Sequence, residues 1–306
     1  MKHLVFATTI LFASACAVDT DEVSNDLDQQ NDHGSPEPKD ASVTHVKGEA
    51  RPGGGGSPNL IYHGGPIMAA GAVVEPIFWG LSWANSGFVG DKISGLQSFY
   101  GGMGGTSYDA TNSEYTQTGG QHVGTGVTLG ATHVDLSASA KSGSRTSPIL
   151  AEVCKMISNP VTNGFYPVYI DHPRGHAGYC AWHSTGTCNG VQVQFAFFYN
   201  LDGDPGCDPG DNTTGHSQGL AALANVSGHE LSEALTDPHL DAWYDASGAE
   251  NSDKCAWAFG PTLLTFSNQS KWKIQGNWSN AAFNSTNRGY PNRDGQKGCL
   301  DGGSFK

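Results

Sequence analysis

An α+β fold on a mixed or antiparallel sheet is predicted for this chain of 306 residues, and three observations carry the prediction. Runs rich in β-branched and aromatic residues at 72–79, 166–170 and 191–199 read as strands, the last alternating as V-Q-V-Q-F-A-F-F. Two stretches with helical signals fall between the first and second of these strands and one follows the last, not in strict alternation with them. Six of the seven cysteines lie between 154 and 299, the pattern of a loop-rich domain braced by disulfides.

In chain order, 72–79 reads A-V-V-E-P-I-F-W. Pro76 has no N–H for a ladder, so this strand is placed at a sheet edge or a bulge. Residues 89–100 carry helical spacing through Ile93, Leu96 and Phe99, and weak strand signals follow at 127–129 and 133–136. Ser147-Pro148 supplies an N-cap with Pro at the first helical position, predicting a helix to about 157 that Asn159-Pro160 stops. After the 191–199 strand and a turn-rich loop, a helix over 218–236 ends at Asp237-Pro238, because the residue before a proline is pushed out of the helical region. Beyond it the chain reads as irregular, with Trp257, Trp272 and Trp278 spread among Gly, Asn and Ser.

The chain divides into three parts. Residues 1–16 hold a short basic start, Met1-Lys2-His3, and an apolar run at 4–13 too short to cross a bilayer, so they read as a secretion signal. Ala13-Ser14-Ala15-Cys16 fits both an ordinary cleavage site and a lipobox. Parity favours lipid attachment at Cys16, because Cys154, Cys180, Cys188, Cys207, Cys255 and Cys299 then remain as an even set for disulfides, their pairing open. Residues 17–57 read as a disordered tether: nine acidic against three basic residues over 17–52, then a glycine run at 53–56. Residues 58–306 form a single globular domain, placed outside the cell or on its envelope. They show no Lys/Arg cluster, which argues against nucleic acid, and a lipid anchor would be the only membrane contact.

The chemistry is concentrated in Gly228-His229-Glu230-Leu231-Ser232-Glu233, an H-E-x-x-E sequence within the 218–236 helix. Residues four apart share a helix face, so the His229 imidazole and the Glu233 carboxylate converge on one ion, with Glu230 one step round the helix to activate a metal-bound water as general base. This is the arrangement of the H-E-x-x-H metallopeptidases with Glu in place of the second His, and the element order suits a zincin-like domain. Glu250-Asn251-Ser252-Asp253 supplies the third ligand, Asp253 first and Glu250 as the alternative, and His183 is a further ligand or an oxyanion donor. The competing reading of the helix is an amphipathic one: apolar Leu220, Leu223, Leu231 and Leu235 on the body and a wet acidic face opposite.

Several segments resemble a known family. Tyr62-His63-Gly64-Gly65-Pro66, Cys180-Ala181-Trp182-His183, and 226–233 followed by Asp237-Pro238 and Ala242-Trp243-Tyr244 are similar in order to segments of the EXORDIUM-like (phosphate-induced) secreted plant proteins. Glu250 to Cys255 resembles that family's E-I-x-D-x-C, and bacterial secreted proteins of unassigned function look alike too. Asp237 stands where the plant pattern has Asn, and little after Cys255 matches. The resemblance implies an extracellular location and roles in growth and cell walls, with no established reaction.

The function expected from these residues is a secreted, lipid-anchored, metal-dependent hydrolase of peptidase type acting on extracellular protein or peptide. Zinc is the expected ion, and Mn²⁺ or Ca²⁺ also suits a carboxylate-rich ligand set. The alternative is a non-catalytic module binding cell-wall glycan, with a structural metal and with Trp243, Tyr244, Trp257, Trp272 and Trp278 stacking on sugars.

Overall fold

A computed structural model describes residues 1, 36–48, 59–285 and 297–302, and all but Met1 belong to one unit, His33–Lys306. The signal segment, Cys16 and the rest of the expected tether lie outside the described residues. The strands are β1 (Ser42–His45), β2 (Ile61–Tyr62), β3 (Val73–Val74), β4 (Ile77–Trp79), β5 (Thr128–Leu129), β6 (His133–Asp135), β7 (Gly164–Pro173), β8 (Tyr179–Cys188), β9 (Val191–Asn200) and β10 (Trp243–Tyr244). The helices among them are α1 (Ser86–Val89), α2 (Lys92–Met103), α3 (Ser147–Met156) and α4 (Gln218–Thr236). After β10 come only short pieces: a 3₁₀ turn at Asp253–Cys255, β11 (Leu264–Thr265), β12 (Lys271–Trp272), β13 (Asn277–Trp278), α5 (Asn280–Asn284) and β14 (Cys299–Leu300).

The α+β class holds, and the sheet is mixed. Its order is β1-β8-β9-β7, then β3 and β4 end to end along β7, with β5 and β6 outermost. β7 runs parallel to β9, β3 and β4, whereas β8 is antiparallel to both β9 and β1. The β8–β9 hairpin turns on Asn189-Gly190, both at positive φ (52° and 80°), the backbone that matches the twist of the paired strands. Pro76 sits neither on an edge nor in a bulge. It splits the expected 72–79 strand into β3 and β4 in the sheet interior, where the break removes the need for the missing N–H while the Pro76 carbonyl still accepts from His133 N at 2.9 Å.

Two expectations are corrected here. The 17–57 tether is not unstructured throughout: Ser42–His45 is β1, paired with the outer edge of β8, and Val43 is buried in the core. Averaging the composition of an acidic stretch hid a short β-branched run, and the open backbone edge of β8 supplies the ladder that orders it. The amphipathic picture of α4 also fails, because every residue from Gly219 to Thr236 is buried. One side of α4 packs on β7, β8, β9 and α2, and the chain after β10 covers its acidic side.

α4 begins where Ser217 Oγ accepts the Leu220 N–H at 3.1 Å, and ends where Pro238 forces Asp237 out of helical geometry (φ −144°, ψ 61°). Leu220, Leu223, Leu231 and Leu235 anchor it, each worth roughly 1.5–3 kcal/mol of burial; truncating Leu231 to Ala would cost about 2–5 kcal/mol. Alternation along β8 sends Trp182 to one face, where it stacks on Phe197, and His183 to the other, toward α4. The six cysteines pair as Cys154–Cys188, Cys180–Cys207 and Cys255–Cys299. The first ties α3 to the end of β8, the second ties the start of β8 to the loop before α4, and the third pins the 3₁₀ turn that carries Asp253.

Candidate metal centre

Three chain segments meet over the buried middle of α4. The helix contributes His229, Glu230 and Glu233, β8 contributes His183, and the loop after β10 contributes Glu250 and Asp253. Each expected site residue therefore arrives at one place, but not as one ligand set. His229, Glu233 and Asp253 form one group and His183, Glu233 and Glu250 another, each with ligand atoms within 4.8 Å of one another. Glu233 belongs to both. The choice between Asp253 and Glu250 as third ligand dissolves, because each has its own histidine.

His229 Nε2 lies 3.0 Å from Glu233 Oε1 and 3.6 Å from Asp253 Oδ1. His183 Nε2 lies 2.9 Å from Glu250 Oε2 and 3.5 Å from Glu233 Oε2. His183, His229, Glu230 and Glu233 are wholly buried and Glu250 is 4% exposed. Despite these short separations, neither His229 Nε2 nor Glu233 Oε2 has a hydrogen-bond partner among the described residues. Orphaned polar atoms in a fully buried cluster cost about 1–3 kcal/mol each, and atoms that approach without pointing at one another suit a shared third body. The donor set, imidazole nitrogen with carboxylate oxygen, fits a divalent cation.

The loop is docked on the helix by its own backbone. Asp253 N donates to Glu233 Oε1 at 2.9 Å, Glu250 N donates to Asp253 Oδ2 at 3.1 Å, and Ser252 Oγ donates to the His229 carbonyl at 3.2 Å. Gln275 Nε2 stands 2.7 Å from His229 Nδ1 and orients that ring. Asp237 has a different task. Its Oδ1 accepts the N–H groups of Asp241 and Ala242 at 2.7 Å each, so it forms the turn after α4 and belongs to neither group.

Glu230, the expected general base, is in neither ligand group. Thr44 Oγ1, from β1, donates to Glu230 Oε1, while Glu230 Oε2 has no hydrogen-bond partner among the described residues. Nothing in the sequence pattern marked Thr44; only the pairing of β1 with β8, which sets Thr44 opposite Ala181, brings it there. Trp257 Nε1 donates to the His45 carbonyl at 3.0 Å and clasps β1 over the site.

Electrostatics follow from burial and crowding. Burial, reinforced by Glu233, pushes the Glu230 carboxyl up to about 8 against the pull of His229 and His183. Burial also disfavours a charged Glu233, but His229 and His183 on either side outweigh it and hold Glu233 well below the usual carboxylate range. Both histidines are depressed by burial and raised further by their carboxylates, so without a cation each holds its proton well above the ordinary imidazole range. Burial lifts Asp237 to about 6.

A cavity of about 260 Å³, lined by Lys39, Ser42, Leu240, Tyr244 and Glu250 among others, reaches the cluster at Glu250. A second cavity, of about 350 Å³ and bordered by Pro66, Asn163, Gln194 and His239, touches none of the six residues. The aromatic platform expected for sugar stacking does not form as a set. Trp272 and Trp278 are buried, and Trp243 packs between Tyr62 and Tyr115. No protein-family model, no curated protein and no solved structure matches this chain.

Proposed function

We propose that the chain is an exported, metal-dependent hydrolase of peptidase type, with His229, Glu233 and Asp253 holding a divalent cation of which zinc is the first choice. The observation that carries this reading is the buried pair His229 Nε2 and Glu233 Oε2, which have no hydrogen-bond partner among the described residues. The three disulfides favour an oxidising compartment, and the signal-like start of the sequence supports export, with Cys16 as the lipid anchor. The resemblance to EXORDIUM-like proteins supports the same extracellular setting.

A bound divalent ion supplies charge stabilisation for a developing oxyanion and acidifies a water. The chain's own residues supply the rest. Glu230, raised by burial toward neutrality, is suited to take a proton at the free Oε2 while Thr44 fixes Oε1. β1 and the segment before it roof the cluster, so substrate reaches it along the cavity at Glu250.

The test compares the full exported chain with Glu230→Gln for bound metal and for cleavage of a denatured protein pool. The reading expects equal metal and a loss of about 10²–10⁴-fold in rate. Equal cleavage by both proteins would remove Glu230 from the chemistry.

One contact favours a second reading, a metal-free network in a non-catalytic domain. Gln275 Oε1 accepts the Trp257 N–H at 3.1 Å, and Gln275 Nε2 donates to the Ser252 carbonyl at 3.1 Å, which fixes the amide so that Nε2 faces His229 Nδ1. That tautomer puts the ring proton on Nε2, against Glu233. Metal ligation through Nε2 requires the Gln275 amide to turn over, and metal analysis of the purified protein separates the two readings.

A further inference from the structure

The geometry points to two cations, not one: a dinuclear centre in which the Glu233 carboxylate bridges an ion held by His229 and Asp253 and a second ion held by His183 and Glu250. This rests on the metal reading above and extends it to a site of its own on β8. Three observations on the cluster carry it.

The first is that the two oxygens of Glu233 are divided. Oε1 faces His229 and Oε2 faces His183, so one side chain presents a ligand atom to each group. The second is the spacing. Metal–ligand bonds of about 2.0–2.1 Å in a tetrahedral arrangement put neighbouring ligand atoms about 3.3 Å apart. The four nitrogen–oxygen separations are 3.0 and 3.6 Å around the first position and 2.9 and 3.5 Å around the second, bracketing that value in both. A carboxylate spanning two such positions sets the ions at roughly the 3.5–4 Å separation of two-metal hydrolytic sites.

The third observation is charge. Glu230, Glu233, Glu250 and Asp253 bring four carboxylates into one buried volume with two imidazoles that are neutral when they ligate. Among the described residues no Lys or Arg pairs with Glu230, Glu233 or Glu250; Lys254, next to Asp253, is engaged by Asp245 at 2.6 Å. A divalent ion at each position offsets carboxylate charge that no Lys or Arg among the described residues meets at Glu233 or Glu250. Uncompensated buried charge is costly, so the second ion is favoured by the same physics as the first. Glu233 Oε2 is buried, lies 3.5 Å from His183 Nε2 and has no hydrogen-bond partner among the described residues, so it is placed to serve the second ion.

The experiment is a metal count on the full exported chain, loaded with Zn²⁺ alone or Mn²⁺ alone and then dialysed free of excess, for wild type and His183→Ala. The inference expects two ions per chain in wild type and one in the variant, with the variant's thermal unfolding still cooperative. The Mn²⁺-loaded wild type is expected to show the exchange-coupled electron paramagnetic resonance of two ions sharing a carboxylate, a readout that needs no variant to fold. One ion in wild type, with an uncoupled Mn²⁺ spectrum, overturns the dinuclear centre; Glu230-dependent hydrolysis at that stoichiometry would leave the single-ion hydrolase standing. No bound ion in wild type overturns both.

Discussion

His229 and His183 flank the same carboxylate, yet they reach it by different routes. His229 sits one helical turn from Glu233, on a helix buried on every side, and its far nitrogen rests on Gln275. His183 comes from the middle of β8 and meets a carboxylate 67 residues further along the chain, and its Nδ1 has no hydrogen-bond partner among the described residues. The helical half is set by local geometry and one orienting contact. The strand half exists only once β8, α4 and the loop after β10 have packed together. The first position is set by the helix, and the second is completed only by tertiary packing.

The largest effect expected is on the residue the two halves share. Glu233→Ala should abolish metal binding at both positions and bring hydrolysis to background, because it removes a ligand from each group and leaves two histidines facing two other carboxylates. A variant that kept one tightly bound ion would show that the halves are independent and that Glu233 bridges nothing.

The next effect is on stability as a function of pH, and here the sign differs between the metal-free and loaded protein. Without metal, Glu230 is raised from 4.5 to about 8, and both histidines are raised above 6.5. Groups that bind protons more tightly folded than unfolded stabilise the fold at low pH and lose that contribution as pH climbs through their folded values. The chelated protein should therefore lose stability from about pH 5 to pH 9. Ions held at His229 and His183 would displace the imidazole protons, so the stability of the loaded protein should rise over the same range. Thermal denaturation across that range, with and without chelator, reads both slopes. Parallel slopes would mean that no ion is held through these side chains.

A smaller effect sharpens the role of β1. Thr44→Val removes the hydroxyl that donates to Glu230, at a cost of about 1–3 kcal/mol for the buried partner left behind. That hydrogen bond lowers the Glu230 pKa, so its loss raises the value further and should move the acid limb of the kcat/KM profile to higher pH. An unmoved limb would assign that limb to another group.

The contrast between the halves also explains what the sequence revealed. α4 was readable to its ends, Gln218 and Thr236, because its apolar spacing and Pro238 are local signals that act on neighbouring backbone. His229, Glu230 and Glu233 followed from helix periodicity alone. β8 was not readable as a strand: Tyr179 to Ser184 are buried on both faces of the sheet, so no polar–apolar alternation announces it. With β8 unplaced, His183 could be named but not paired with Glu250. β1 was hidden for a different reason, since its four residues pair with an edge supplied by a strand more than a hundred residues away. Cysteine parity gave the number of disulfides, and only packing could choose the partners.

The central claim is that a divalent cation joins His229 to Glu233. Crystals of the protein, purified without chelator and measured on both sides of the zinc absorption edge, test it directly. The account predicts an anomalous peak about 2 Å from His229 Nε2 and a second beside His183, with Glu233 between them. A map with no peak there, and with His229 Nε2 donating a well-aligned hydrogen bond to Glu233, would contradict it.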